Sequence, residues 1–192
     1  MKIDVFDFDG TIYDGDSTVD FLLFCFGKKP VLALFCLPPL LRALGGKFTG
    51  HFSLTSFKSD FFSVFARRLS LGDTAEEFWR REKTKKKLGK WFLSRKRTLP
   101  VVIASASPDF ELTPAARLLR ADALICTRCD PGTGRVIGKN CKSAEKIERI
   151  RKTFGEVQVR SMYTDDPKAD GPLLSIAEER YLVRHGTVER IS

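Results

Sequence analysis

The sequence has only two histidines, His51 and His185, both isolated, and they read as structural or surface residues. Cys126 and Cys129 form a C-x-x-C, but no second pair completes a zinc site. The five cysteines are odd in number, and the charged, strand-like start at Met1–Phe8 lacks an apolar signal-type region. Both features argue for free thiols in a reducing cytosol. Long hydrophobic runs are missing as well. The longest, PVLALFCLPPLLRAL (Pro30–Leu44), is too short to span a bilayer and is interrupted by Pro38, Pro39 and Arg42. It reads either as a buried helix or as a segment lying in a membrane surface. There is no internal repeat and no low-complexity linker. No RNA- or DNA-binding motif accompanies the positive charge, so no nucleic-acid partner is expected.

What is present suits one domain, or one domain carrying a large insertion: 192 residues, 43% hydrophobic, with 16 phenylalanines to fill a core. The formal net charge is +9 and it is unevenly placed. Residues 14–98 carry the whole excess, and the remainder of the chain balances to zero. That segment is the one expected to face something negative.

Apolar, β-rich runs recur along the chain. They are IDVFDF (Ile3–Phe8), LPVVIASAS (Leu99–Ser107), ADALICTR (Ala121–Arg128), VQVRSMYTDD (Val157–Asp166) and YLVRHG (Tyr181–Gly186). Helical stretches lie between them: PDFELTPAARLLR, CKSAEKIERIRKTFG after a hairpin-like DPGTGRVIGKN, and GPLLSIAEER. Strands alternating with helices imply an α/β fold, a parallel sheet with helices on both faces. Asp16 to Arg97 breaks the alternation with helix after helix. Its last helix is expected to run unbroken through DTAEEFWRREKTKKKLGKWFLSRK, capped by Asp73 or Thr74. The reading is therefore a core of residues 1–13 and 99–192 with a helical insertion at 14–98.

In such sheets ligands bind at the carboxyl ends of the strands. Asp7 and Asp9, Ser105, Lys142, and the cluster Asp165, Asp166 and Asp170 all fall at such ends or just beyond. Several carboxylates packed together resist joint ionisation unless a cation joins them. Oxygen donors favour a hard divalent ion, Mg²⁺ foremost.

DFDGT (Asp7–Thr11) followed by a helical insertion resembles the first motif of the haloacid dehalogenase superfamily of phosphohydrolases. VVIASAS (Val101–Ser107), with Ser105, is similar to its second motif, GKNCKSAEKI with Lys142 to its third, and YTDDPKADGPLL to its fourth. The insertion between the first two motifs resembles the C1-capped branch, which includes phosphoserine phosphatases and a bacterial phosphatidylglycerophosphatase. The resemblance implies a three-layer Rossmann-like fold with a helical cap. It implies Asp7 as nucleophile, Asp9 as acid and base, and Lys142 as the group neutralising charge. Ser105, the Ala106 N–H and Thr11 would contact phosphate. Asp7, the Asp9 carbonyl and Asp165 would hold Mg²⁺, with Asp166 the competitor and Asp170 the partner in the D-x-x-x-D spacing. Asp16 lies where phosphoserine phosphatases carry a glutamate that meets the substrate amine; a helix cap at DSTVDF is the other reading.

The function expected is Mg²⁺-dependent phosphomonoester hydrolysis on a small soluble phosphoester, in the cytoplasm. The alternatives are a lipid phosphate at the inner membrane face, approached through the basic cap, and a catalytically idle binding protein on the same scaffold.

Overall fold

The structure is a computed structural model that describes residues 1–192. Six strands form one sheet in the order β3-β2-β1-β4-β5-β6. They are β1 (Lys2–Phe6), β2 (Val101–Pro108), β3 (Ala123–Thr127), β4 (Gln158–Thr164), β5 (Ala177–Arg184) and β6 (Thr187–Ile191). The first five are mutually parallel, and β6 closes antiparallel on β5. Phe6 pairs with Ile103 on one side and Tyr163 on the other. One residue further, Asp7 leaves the sheet between the ends of β2 and β4. The chain moves outward from β1 to β3 and then returns to the opposite side of β1 for β4, which opens a crevice there.

Alternation along the strands gives each sheet face its own core. Phe6, Val101, Ile103, Tyr163 and Val183 face one side, where α7 (Asp109–Leu118) packs. Ile3, Val5, Val102, Ala104 and Met162 face the other, under α8 (Ala144–Phe154) and α9 (Gly171–Ile176). Six helices separate β1 from β2: α1 (Ser17–Lys28), α2 (Leu32–Phe48), α3 (Leu54–Ala66), α4 (Leu71–Arg80), α5 (Glu82–Lys85) and α6 (Lys90–Ser94). Phe21, Phe62, Phe65, Phe78, Trp79 and Phe92 of these helices belong to the same buried cluster as Phe6 and Ile103. The 14–98 segment is helical but closes no core of its own. Trp79 Nε1 even donates to the Glu111 carbonyl on α7, at 2.8 Å. No helix is long and apolar enough to cross a membrane.

Three local expectations are corrected. The helix expected from Asp73 to Lys96 is broken into α4, α5 and α6. Leu88 bridges to Tyr13, Asp14 N–H donates to Lys87 O (2.8 Å) and Gly89 N–H to Ile12 O (2.7 Å). Pairing with the loop after β1 takes precedence over helix propensity there. Neither Asp73 nor Thr74 caps α4; the helix starts earlier, at Leu71, with Ser70 at its N-cap position, whose hydroxyl donates to Asp73 Oδ2 at 2.6 Å. The helix read in GPLLSIAEER stops at Ile176, because Ala177 already pairs with Val159 as the start of β5.

Candidate active site

The loop after β1 is built on one carbonyl. Phe8 O accepts from the N–H groups of Thr11, Ile12 and Tyr13 at 3.2, 2.8 and 2.9 Å. This tight turn starts just past Asp7, so the strict alternation of a strand ends and Asp7 and Asp9 both emerge at the sheet edge. Gly10 sits at φ +71°, and a Cβ there would lie 2.1 Å from Asp165 Oδ2. Glycine is required twice over, for the backbone angle and for the approach of a carboxylate.

Asp7 is held by a lysine other than the one expected. Lys146 Nζ, on α8, lies 3.0 Å from Asp7 Oδ1 and 2.7 Å from Asp170 Oδ1. The Lys146 and Asp170 side chains are 3% and 1% exposed, whereas Asp7 keeps 16% and stays reachable from the crevice. Lys142, expected there, precedes the helix and is exposed; the lysine that meets Asp7 is Lys146. The signal was available: Lys146 lies one turn before the buried Ile150, on the helix face that meets the sheet.

Asp9 is turned toward the start of α1. Its Oδ1 accepts from Ser17 N–H (2.7 Å) and its Oδ2 lies 2.6 Å from Ser107 Oγ. From Ser107 the contacts continue to Thr18 Oγ1 (3.1 Å) and on to Glu111 Oε2 (2.9 Å). Ser107, Thr18 and Glu111 were not singled out by the sequence. Asp16 caps α1, accepting from Val19 N–H at 2.9 Å. Ser105 is buried and its hydroxyl accepts from Ser107 N–H at 3.0 Å. The Ala106 carbonyl accepts from Thr127 Oγ1 (2.7 Å) and from Lys58 Nζ (2.8 Å). Lys58, a residue of the insertion that no motif announced, reaches in from α3 and also donates to Asn140 Oδ1 at 2.8 Å.

The remaining expected positions divide. Thr11 is buried and its hydroxyl donates to Asp165 Oδ1 at 3.3 Å. Asp166 Oδ1 accepts from the N–H groups of Lys168 and Ala169 at 3.1 and 3.0 Å. It shapes its own turn. The Asp170 oxygens are engaged by Lys146 and by Thr164 Oγ1, the latter at 2.9 Å. The Asp9 carboxylate is likewise engaged, by Ser17 N–H and Ser107 Oγ.

Charge at the site is poised by burial. Burial pushes Asp7 up to about 7 against the pull of the Lys146 ammonium, and the Asp170 charge adds to the rise. Burial also raises Asp9 and Asp165. Glu111, fully enclosed, is pushed up to about 8 by burial and by the Asp9 charge. Burial alone would lower Lys146, but Asp7 and Asp170 hold it above its ordinary value. Burial lowers Lys58.

The donor set fits a hard cation. No three Asp, Glu, His or Cys side chains form a ready-made cage, and Mg²⁺ is commonly held by one or two carboxylates with waters and a substrate phosphate. Lys146 engages one oxygen of Asp7, and Thr11 one of Asp165. The second oxygen of each carboxylate would serve a cation, which would also relieve the ionisation that burial penalises.

All five cysteines are free and buried, Cys126 and Cys129 among them.

The chain is 33% identical over 197 aligned residues to Protein CicA of Caulobacter vibrioides, spanning 91% of this chain and 82% of that protein. The fold is similar to that of a protein of unknown function from Bordetella pertussis Tohama I, with a TM-score of 0.70 and 20% identity, covering 93% of this chain and 88% of that one. It is also similar to a phosphoserine phosphohydrolase-like protein from Francisella tularensis SCHU S4, with a TM-score of 0.57 and 18% identity, covering 94% and 86%. The model of the haloacid dehalogenase-like hydrolase family matches residues 5–174. With DFDGT leaving the central strand and a helical insertion before β2, the chain belongs to the haloacid dehalogenase-like hydrolases.

Proposed function

We propose that the protein is a Mg²⁺-dependent phosphomonoester hydrolase working through an aspartyl-phosphate on Asp7, with a small soluble phosphoester as substrate. The observation that carries this is the Asp7–Lys146–Asp170 arrangement at the carboxyl end of the central strand. A partly exposed carboxylate is fixed by a buried ammonium, which is itself fixed by a second buried carboxylate.

In the first half-reaction Asp7 attacks phosphorus as the bond to the leaving oxygen breaks, and protonated Asp9 delivers its proton to that oxygen. In the second, Asp9 takes a proton from water, the water oxygen attacks phosphorus, and Asp7 is released with inorganic phosphate. Burial favours the protonated form of Asp9 that the first step needs. The transferred group spreads negative charge over its outer oxygens, so fixed positive charge and aligned donors do most of the work. Lys146, the Ser105 hydroxyl and the Ala106 N–H supply them. Asp7, Asp165 and the Asp9 carbonyl would hold Mg²⁺, which when bound neutralises phosphate charge beside the nucleophile. Lys58, tied to the Ala106 carbonyl, brings the insertion to the edge of the phosphate loop.

The test is phosphate release from the purified protein with Mg²⁺ over a panel of soluble phosphoesters and short-chain lipid phosphates, with Asp7→Asn as control. Release that vanishes in the variant supports the reading; release that persists in it contradicts the nucleophile. A lipid phosphate is the second reading, favoured by the exposed leucines of α2.

A further inference from the structure

The helix α2 buries one narrow stripe and leaves the rest uncovered. Leu32, Cys36 and Pro39 are buried. On the opposite side, Leu34, Leu37, Leu41, Leu44 and Phe48 recur at i, i+3, i+7, i+10 and i+14 and are between 52% and 91% exposed. A helix that is apolar all round is covered by something, and contiguous exposed apolar surface of this kind marks an interaction site.

The charge around this stripe has one sign. Between Asp20 and Asp60 the chain contains no Asp or Glu, while Lys28, Lys29, Arg42, Lys47 and Lys58 fall within that stretch. Beside the stripe, a cavity of about 590 Å³ opens between α2, α3 and the 130–135 turn. Arg42, Arg67, Arg68 and Arg135 line it, with Asp60 as its one acid. Arg42 pairs with Asp60 at 2.6 Å and the Arg68 guanidinium stacks on the Phe35 ring at 3.6 Å, so the remaining guanidinium charge is uncompensated. An apolar stripe flanked by arginines complements a surface with an apolar interior and anionic headgroups. A helix of 17 residues, about 25 Å long, lies in such an interface without crossing it.

We propose that the outer face of α2 docks on an anionic lipid bilayer. Leu37, Leu41, Leu44 and Phe48 enter the acyl boundary, and a headgroup phosphate occupies the arginine-lined cavity. The same α3 that walls this cavity carries Lys58 to the Ala106 carbonyl, so the docked face is joined by one helix to the phosphate loop. The proposal does not depend on the catalytic reading, since docking needs no turnover.

The test is flotation of the full chain with two vesicles, phosphatidylcholine alone and an equal mixture of phosphatidylcholine and phosphatidylglycerol. The chain is expected to float with the mixture and to stay at the bottom with phosphatidylcholine alone. A Leu41→Glu/Leu44→Glu double variant is expected to lose at least about tenfold in bound fraction. Arg67→Glu should lose about fivefold or more, and raised salt should weaken wild-type binding. The altered side chains are exposed, so an unchanged thermal midpoint confirms the fold; should the double variant unfold, Leu41→Gln is the milder form. Asp7→Asn should float as the wild type does, which separates this result from any failure of catalysis. No flotation with the mixture, or equal flotation of the double variant, overturns the proposal. So does a dimer that the double variant dissociates and that binds no vesicle, because a second copy would then be what covers α2.

Discussion

Lys146 Nζ stands 3.0 Å from Asp7 Oδ1, the lysine side chain buried and the carboxylate open to the crevice. Removing this ammonium is costly, because it leaves the buried Asp170 carboxylate, 2.7 Å away, charged and unpaired together with Asp7. Lys146→Met should therefore cost about 3–5 kcal/mol of stability and lower turnover by about a hundredfold or more. Lys142→Ala, at an exposed position, should leave both within about twofold. Thermal unfolding and steady-state phosphate release on the two variants decide between the lysines. Equal loss in both would contradict the assignment.

The two neighbouring acids after β4 separate in the same way. Asp165 faces Gly10 and accepts from Thr11, whereas Asp166 accepts from the backbone of its own turn. Asp165→Asn should raise the Mg²⁺ concentration needed for half-maximal turnover by about tenfold or more. Asp166→Asn keeps an oxygen acceptor for its turn and should leave that concentration within about twofold. A chelator should abolish turnover in the wild type, and added Mg²⁺ should restore it.

How much of this was legible in the sequence depended on where each signal lay. Asp7, Asp9 and Ser105 follow apolar runs, and a strand end is a local event that a short window reveals. Lys146 was missed because its place is set by which face of α8 meets the sheet, and Lys142 stood nearer the motif in sequence. Thr18, Ser107 and Glu111 come from three different elements and meet only in the folded chain. Lys58 lies in the insertion, where composition announced positive charge but no partner. The break between α5 and α6 at Leu88–Gly89 is likewise a tertiary effect, fixed by Tyr13 and Ile12 many residues away.

Glu111 gives stability a pH dependence of defined sign. Its folded value is raised to about 8 from 4.5, so between these values the folded state holds a proton that the unfolded state has released. Stability from this group is complete below about 4.5, falls as pH rises, and is lost through about 8. Glu111→Gln removes the titration. The wild-type thermal midpoint should drop more between pH 5 and pH 8 than that of Glu111→Gln, as differential scanning calorimetry at the two pH values would show. Parallel drops would mean that Glu111 is ionised in the folded chain.

Gly10→Ala tests the loop itself. A methyl group at φ +71° and 2.1 Å from Asp165 Oδ2 forces the turn or the carboxylate to move. A stability loss of about 1 kcal/mol or more is expected, with a larger Mg²⁺ requirement because Asp165 is displaced. A variant with wild-type Mg²⁺ dependence would show that Asp165 is not held for a cation.

The central claim is that Asp7 takes the phosphoryl group. Acid-quenching the enzyme during turnover of its best phosphoester, followed by mass spectrometry of the digested chain, tests it directly. An acid-stable, base-labile phosphoryl group is expected on the peptide carrying Asp7 and is expected to be absent in Asp7→Asn. Active turnover with that group on another residue would contradict it.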